Sequence, residues 1–210
     1  MKIKNYLSHL KTVNAHRKYV RQLCFKMGLY KQGLLHDLSK YSPTEMSIAK
    51  YYSGTNSPHQ NCREQLGYSP SWMHHYHTNK HHYQYWQDQD EMDRNIPLKM
   101  PFNYVVEMFC DRVAACKAYN KEKYTLQDAW KYYLAKTKGH GVLHPDTEHL
   151  LELLLNMLSY SSSEEGFVDW YKSQKDGIQR CYQTGWEYYR YINKEVSIAL
   201  AAQEGEPYEE

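Results

Sequence analysis

The chain has 210 residues, 41% of them hydrophobic and 24% charged, a composition typical of a globular protein with one sizeable core. Its formal net charge of +2 gives no electrostatic reason to expect nucleic acid or a membrane surface as a partner. Five cysteines without a C-x-x-C pair argue against a disulfide framework, and no apolar stretch approaches the length of a membrane span. The first residues also lack the apolar core of a signal peptide, so we expect a reduced, cytoplasmic protein.

Apolar residues recur at helical spacing along most of the chain, and little strand is predicted. The first helix is expected over residues 6–27. Its buried face is predicted to consist of Val13, His16, Val20, Leu23 and Met27. Further helices are predicted, in chain order, over residues 30–38, 43–52, 58–66, from 70 into a histidine-rich stretch, 101–119, 125–136, 146–160 and, as one or two helices, from 164 to 202.

These helices predict a single all-α domain. The segment 146–160 carries the most leucines and is expected to lie in the core. Residues 42–45 read Ser-Pro-Thr-Glu, which predicts a capping box at a helix start. We place the domain over residues 1–202, followed by an acidic tail over 203–210 that we expect to be frayed.

Metal-binding residue types interrupt the apolar helices at three places. His16 lies on the apolar face of the first helix, the doublet His36-Asp37 ends the second, and Asp111 lies in a helix that is apolar nearly all the way round. Each has a structural alternative: a core histidine, a helix C-terminus and a buried ion pair, respectively. An ionised carboxylate in an apolar helix is costly unless it is paired or bound to metal. One divalent metal would satisfy all four side chains.

Five of the twelve histidines cluster in one short stretch. On a continuous helix they would form two faces, one with His74, His77 and His81 and the other with His75 and His82. A helix break between the two pairs would instead fold them toward each other. An exposed histidine-rich helix without a site is the structural alternative, and we expect His77 to be solvated in each case.

The order of His16, His36-Asp37 and Asp111 resembles the H…HD…D signature of the HD superfamily of metal-dependent phosphohydrolases. The central segment of that family reads apolar-apolar-His-Asp-apolar-Gly-Lys, and here Ser39 takes the place of the glycine while Lys40 is kept. The resemblance implies an HD-like helical bundle in which these four signature residues bind a divalent metal.

A second resemblance covers roughly residues 10–160. The stretches Leu34 to Glu45, Trp72 to Trp86 and Met100 to Tyr119 are similar to an uncharacterised bacterial and phage family that is known only as a domain of unknown function. This resemblance implies no particular activity.

Two imidazoles and two carboxylates suit a borderline divalent metal such as Mn, Fe, Co or Zn, and we also include Mg among the expected ions. Such an ion lowers the pKa of a bound water and polarises a phosphoryl oxygen. We therefore expect Asp37 and Lys40 to be catalytic, with Lys40 neutralising charge on the transferred phosphoryl group.

The resemblance to binuclear HD enzymes implies a second metal, because those enzymes have two further histidines between the doublet and the last aspartate. One of His74 and His75 and one of His81 and His82 would bind it, with Asp37 as the bridge. We favour His75 and His82 and keep His74 and His81 as alternates.

Three functions fit this pattern. The leading one is a metal-dependent phosphohydrolase that acts on a nucleotide or another small phosphate ester, with Lys40 and Lys80 contacting the phosphate. The second is a di-iron oxygenase, because that chemistry is known in proteins that resemble HD enzymes with the same six ligands. The third is a non-catalytic nucleotide- or metal-binding module. No motif indicates the substrate or the oligomeric state.

Overall fold

The computed structural model describes residues 3–53, 57–140 and 142–204. This part of the chain contains ten α-helices: α1 (Ile3–Lys26), α2 (Tyr30–Leu35), α3 (Pro43–Met46), α4 (Pro58–Leu66), α5 (Pro70–Thr78), α6 (Phe102–Asn120), α7 (Asp128–Lys136), α8 (Pro145–Tyr160), α9 (Glu164–Thr184) and α10 (Trp186–Glu204). Short 3-10 helices lie between them at Leu38–Tyr41, Ser47–Tyr51, Tyr83–Tyr85 and Lys121–Lys123. The predicted all-α, single-domain bundle is confirmed. The tail was predicted over residues 203–210. Only its first two residues are described, and they form the end of α10.

The bundle is centred on α6 and α8, which pack against each other and are surrounded by α1, α7, α9 and α10. The predicted leucine-rich core segment is α8. Its fully buried leucines are Leu150, Leu151, Leu153, Leu154, Leu155 and Leu158. Burial of each such side chain contributes about 1.5–3 kcal/mol, so this central pair of helices provides a rigid base for the residues that α6 presents.

The predicted apolar face of α1 is also confirmed. The five residues of that face are all buried: Val13, His16, Val20, Leu23 and Met27. This face packs on α6. As a result, a histidine of α1 is held against the acidic side chains of α6.

The start of α3 differs from the predicted capping box. The Ser42 side chain accepts a hydrogen bond from the backbone N–H of Glu45 (3.3 Å), as a helix cap should. The Glu45 carboxylate, however, does not return to the Ser42 backbone, because two histidines bind it instead.

Helix α2 is shorter than predicted, and its apolar residues face outward. It ends at Leu35, and the next two residues leave the helical region, with Asp37 at φ 55° in the left-handed region. Leu34, Leu35 and Leu38 are 54, 52 and 47% exposed, whereas the polar doublet between them is buried. A continuous helix with an apolar buried face would bury these leucines and expose the polar doublet. The observed turn does the reverse.

Two further features lie beyond the sequence prediction. Strands β1 (Gln87–Gln89) and β2 (Asn95–Pro97) form a small antiparallel hairpin in a region for which the sequence predicted no strand. Its residues are mostly exposed and polar, so no alternation of apolar residues marked it. Helices α9 and α10 are separate, with a break at Gly185 (φ 88°). Within the described residues, no helix combines the length and apolarity needed to cross a bilayer.

Candidate metal centre

Five chain segments meet at one buried cluster of histidines and carboxylates. α1 provides His16, the turn after α2 provides His36-Asp37, α5 provides His75, and α6 provides Asp111. The fifth segment follows α5 and carries His81 and His82. It reaches the cluster because α5 ends at Thr78 and Asn79 is extended, so the chain folds back. Of the two geometries considered for the histidine-rich stretch, the helix break is the one observed.

The first ligand set contains His16, His36, Asp37 and Asp111, and one ligand atom from each lies within 4.8 Å of the others. The Nε2 atoms of His16 and His36 lie 2.9 and 3.3 Å from Asp111 Oδ1. The same two nitrogens lie 3.4 and 3.3 Å from Asp37 Oδ2. These are the four residues of the H…HD…D pattern.

The second ligand set contains Asp37, His75, His81 and His82, again with ligand atoms within 4.8 Å of one another. The Nε2 atoms of His75 and His81 lie 3.3 and 3.4 Å from Asp37 Oδ1. The His82 ring lies 4.6 and 4.3 Å, centroid to centroid, from the rings of His75 and His81. Asp37 therefore faces one set with Oδ2 and the other with Oδ1.

The atoms at the centre of both sets lack hydrogen-bond partners. These buried atoms are the Nε2 atoms of His16, His36, His75, His81 and His82 and Oδ1 of Asp37, whereas Asp37 Oδ2 is paired with the Lys40 ammonium. Buried polar groups without a hydrogen bond are costly, and so many in one place need a common partner. A divalent cation is such a partner, because imidazole nitrogens and carboxylate oxygens are its ordinary ligands. The cluster can therefore hold metal.

Two buried glutamates orient the histidine rings from behind. Glu107 Oε1 lies 2.9 Å from Nδ1 of His36 and 3.2 Å from Nδ1 of His81. Glu45 Oε2 lies 2.7 Å from Nδ1 of His75. Since an ionised carboxylate only accepts, each Nδ1 donates and each Nε2 points to the centre, where it can bind an ion when it carries no proton. Metal-binding histidines are usually held in this way.

The charges of the cluster match this arrangement. Burial alone would raise the pKa of Glu107, but hydrogen bonds from His36 and His81 hold the pKa of this carboxyl below its usual range. Burial opposes ionisation of Asp37 too, yet the charges of His36 and Lys40 keep its pKa well below the usual range. Burial, aided by His81 as a neighbour, lowers the pKa of His82 well below its usual value. His82 is thus a neutral imidazole, the form that binds metal.

Further contacts fix the turn that carries the doublet. Nε of Arg17 donates to the backbone carbonyl of His36 (2.8 Å), and Nη2 donates to that of Leu34 (3.3 Å). The Lys40 ammonium lies 2.6 Å from Asp37 Oδ2. The Asn79 amide donates to the Ser39 hydroxyl (2.7 Å), which ties the break after α5 to the same turn.

Solvent reaches the cluster at its less buried residues, which include Asp111, Lys40 and His82. The side chains of His16, His36, Asp37, His75 and His81 are at most 10% exposed. Asp111 is 19% exposed and Lys40 is 23% exposed. We call the surface around Asp111 and Lys40 the opening of the site.

The structure brings six predicted ligands together and adds one of the alternates. His16, His36-Asp37, His75, His82 and Asp111 converge as expected, and His81 joins His82 rather than replacing it. The other alternate, His74, lies outside both sets because its Nδ1 is bound to Glu45 Oε1 (2.9 Å).

The remaining predicted residues lie at or beyond the edge of the cluster. His77 is exposed, as expected. Lys80 is exposed, with its ammonium 5.6 Å from the Tyr85 ring centroid. Its phosphate contact stays a prediction.

Sequence reasoning missed the two glutamates. Glu107 lies four residues before Asp111 on the same helix, a spacing that places both on one face, and this was the available signal. Glu45 had no such signal, because its position explained it fully as part of a helix cap.

The fold and the cluster together define an all-α bundle with a buried His/Asp centre that can hold metal. Comparison with protein-family models finds a match over residues 5–157 to the Family of unknown function (DUF5662). This match covers well over half of the chain and all the residues of both ligand sets, so the chain belongs to that family. This confirms the second resemblance noted in the sequence. No curated protein and no solved structure matches the chain.

Proposed function

We propose that this protein is a metal-dependent phosphohydrolase of the HD type, which hydrolyses a nucleotide or another small phosphate ester. One observation carries the proposal: Asp37 is fully buried, and its two oxygens face two separate sets of imidazoles. A carboxylate in this position suits two ions that share one bridging ligand.

The donor set favours borderline divalent ions. Five imidazoles and two carboxylates surround the centre, and a set so rich in nitrogen suits Mn, Fe, Co or Zn better than Mg. When bound, such an ion supplies a hydroxide near neutral pH and polarises a phosphoryl oxygen.

The residues at the opening fit a phosphate ester as the substrate. Burial opposes the charge on Lys40, but the charges of Asp37 and Asp111 raise the pKa of its ammonium, so Lys40 remains a cation. An ammonium has three N–H donors, of which one points at Asp37. The others are available to a phosphoryl oxygen and would stabilise the negative charge that develops there.

The direct test combines metal analysis with an activity screen. The purified protein is stripped with a chelator, reloaded separately with Mn, Fe, Co or Zn, and assayed for phosphate release from nucleotides and small phosphate esters. We expect hydrolysis with at least one ion and none after stripping. An iron-dependent EPR signal with oxygen consumption, and no phosphate release, would instead support the di-iron oxygenase. Binding of metal and nucleotides without turnover would support a non-catalytic module.

Two aspartate variants test the bridge. Asp37→Ala should lose metal from both sets, whereas Asp111→Ala should lose it from the first set only, because the ion pairs of Asp111 within the described residues are with His16 and His36. Metal content per chain, measured by mass spectrometry, distinguishes the two, and His77→Ala is the control. Full metal content in Asp37→Ala would overturn the proposed centre.

A further inference from the structure

Arg112 is a half-buried cation beside the candidate metal centre, and it has no carboxylate partner among the described residues. It follows Asp111 on α6. Its Nη1 donates to the Thr137 hydroxyl (3.2 Å), its guanidinium carbon lies 6.0 Å from the centroid of the Tyr133 ring, and its buried Nε has no hydrogen-bond partner. None of the ion pairs between described residues includes Arg112.

Other partly buried cations of the bundle differ in this respect. Lys99 pairs with Asp146, and both Lys26 and Lys117 pair with Glu164. A cation that is withdrawn from water is normally paired in this way, since its desolvation is otherwise uncompensated. Arg112 therefore has an unfilled capacity to bind an anion.

The position of Arg112 connects this capacity to the site. Asp111 is the most exposed ligand of the first set, and Arg112 is its neighbour in the chain. The Lys40 ammonium lies 2.6 Å from Asp37 Oδ2, and His16 Nε2 lies within 3.4 Å of both Asp37 Oδ2 and Asp111 Oδ1, so Lys40 and Asp111 are close neighbours at the opening. Two cations thus lie within electrostatic reach of the one ligand carboxylate at the opening.

We propose that Arg112 and Lys40 form two anion subsites at this opening, so that the substrate is a phosphate ester with a second anionic group, such as another phosphate or a carboxylate. Lys40 serves the reacting phosphoryl group, and the planar guanidinium of Arg112 binds the second anion with two parallel N–H donors. This inference rests on the proposed function, because it assigns the reacting phosphate to the metal centre.

Matched phosphonates test the proposal by binding alone. Propylphosphonate carries one anionic group, whereas phosphonoacetate, 3-phosphonopropionate and 4-phosphonobutyrate add a carboxylate at increasing distance. We expect at least one of the three to bind the metal-loaded protein about tenfold more tightly than propylphosphonate, as measured by isothermal titration calorimetry. Equal affinity for all four ligands would overturn the proposal.

Variants of Arg112 then test whether this residue causes the preference for ligands with a second anionic group. Arg112→Met should abolish the preference while leaving the affinity for propylphosphonate and the metal content unchanged. Arg112→Lys keeps the charge without the planar donor pair and should retain part of the preference, which provides a test if the methionine variant does not fold. Lys172→Met removes an exposed cation from α9 and is the control for net charge. An unchanged preference in both Arg112 variants would assign Arg112 a structural role.

The readouts separate this inference from the proposed function. A preference that depends on Arg112, together with no hydrolysis of any phosphate ester, would support the subsite and overturn the phosphohydrolase. Hydrolysis of phosphate esters without any such preference would support the phosphohydrolase and overturn the subsite.

Discussion

Glu107 is a single carboxylate that orients histidines of both ligand sets. Its Oε1 atom accepts from Nδ1 of His36 in the first set and from Nδ1 of His81 in the second. The two rings lie 4.2 Å apart, centroid to centroid. Because one side chain fixes both rings, the geometries of the two sets are coupled through it as well as through Asp37.

Replacing Glu107 should therefore weaken metal binding at both sets. Glu107→Gln keeps the size of the side chain, but the neutral amide is a weaker acceptor for two imidazole N–H groups. We expect the metal affinity to fall about 10–100-fold, the usual effect of losing a carboxylate behind a histidine ligand. Competition with a chromogenic chelator measures this affinity. Glu122→Gln, at an exposed position, is the control, and an equal affinity in both variants would contradict the role of Glu107.

At the scale of secondary-structure elements, the approach of α2 to α1 sets the position of the doublet. Gly33 lies at their closest approach, where an added Cβ would come within 3.0 Å of Cys24 Cβ and of a Phe25 ring carbon. The Cys24 Cβ belongs to the buried face of α1 and cannot move without the helix. The absence of a side chain at Gly33 therefore lets α2 deliver His36 to the cluster.

We expect Gly33→Ala to destabilise the fold and to weaken metal binding together. Overpacking of this kind costs about 1–3 kcal/mol, which corresponds to a fall in Tm of about 2–12 °C for a chain of this size. Gly177→Ala on α9 is the matched control, since an added Cβ meets nothing within 4 Å there. It should raise stability slightly, by about 0.5–1 kcal/mol. Calorimetry of both variants, with and without metal, measures the effects.

Three helices are joined by one acidic side chain. Glu164, in the first turn of α9, binds the ammonium groups of Lys26 at the end of α1 and of Lys117 on α6. Burial alone would raise the pKa of Glu164, but the hydrogen bonds from Lys117 and Lys26 hold the pKa below its ordinary value of 4.5. Because the folded pKa is lowered, this contribution to stability is complete above pH 4.5 and is lost as the pH falls through the folded value.

Glu164→Gln should therefore lower the free energy of unfolding at neutral pH by about 1.5–3 kcal/mol, the value typical of a hydrogen bond to a charged group. The difference from the wild type should shrink below about pH 4.5, which unfolding curves at several pH values would show. Glu165→Gln is the control, because Glu165 contacts the same lysine but is 72% exposed. A difference that is independent of pH would contradict this account.

At the scale of the whole molecule, the bundle is closed around a cluster that lacks internal partners. Six buried nitrogen and oxygen atoms at its centre make no hydrogen bond within the described residues. An ion that binds only the folded chain would satisfy these atoms and shift the folding equilibrium toward the native state. The stability of the fold and the occupancy of the centre should therefore be linked.

We expect a metal at 100 times its dissociation constant to stabilise the protein by about 2.7 kcal/mol, or about 5–10 °C in Tm. Thermal unfolding with a chelator and with each ion measures this difference. Asp37→Ala should abolish it. A Tm that does not respond to any divalent ion would argue against a metal centre.

The sequence predicted the bundle well because its core helices are strongly periodic. The apolar face of α1 and the leucines of α8 lie where the spacing placed them. The hairpin of β1 and β2 was not predictable in this way. It is held by local polar contacts, such as those of the Asp90 carboxylate with the backbone N–H groups of Met92 and Arg94, and not by apolar alternation.

For the candidate site, the sequence predicted that histidines and aspartates form one cluster. It did not predict which of the adjacent histidine side chains point into that cluster. His74 and His75 are adjacent and of one type, yet only His75 faces Asp37, because the rotation of α5 decides between them. The contributions of His81 and His82 depend on the break at Asn79, which the sequence left open. Such choices depend on tertiary contacts, and spacing along the chain does not contain them.

The left-handed backbone of Asp37 restricts which amino acids this position can accept. At φ 55°, residues with long or β-branched side chains are strained, while glycine, asparagine and aspartate are tolerated. Glycine has no ligand atom, and asparagine has only one oxygen, so neither can serve both ligand sets. Glutamate would keep the carboxylate but would add a methylene in a fully buried turn. Of the twenty genetically encoded side chains, aspartate alone meets the backbone and the ligand requirement together.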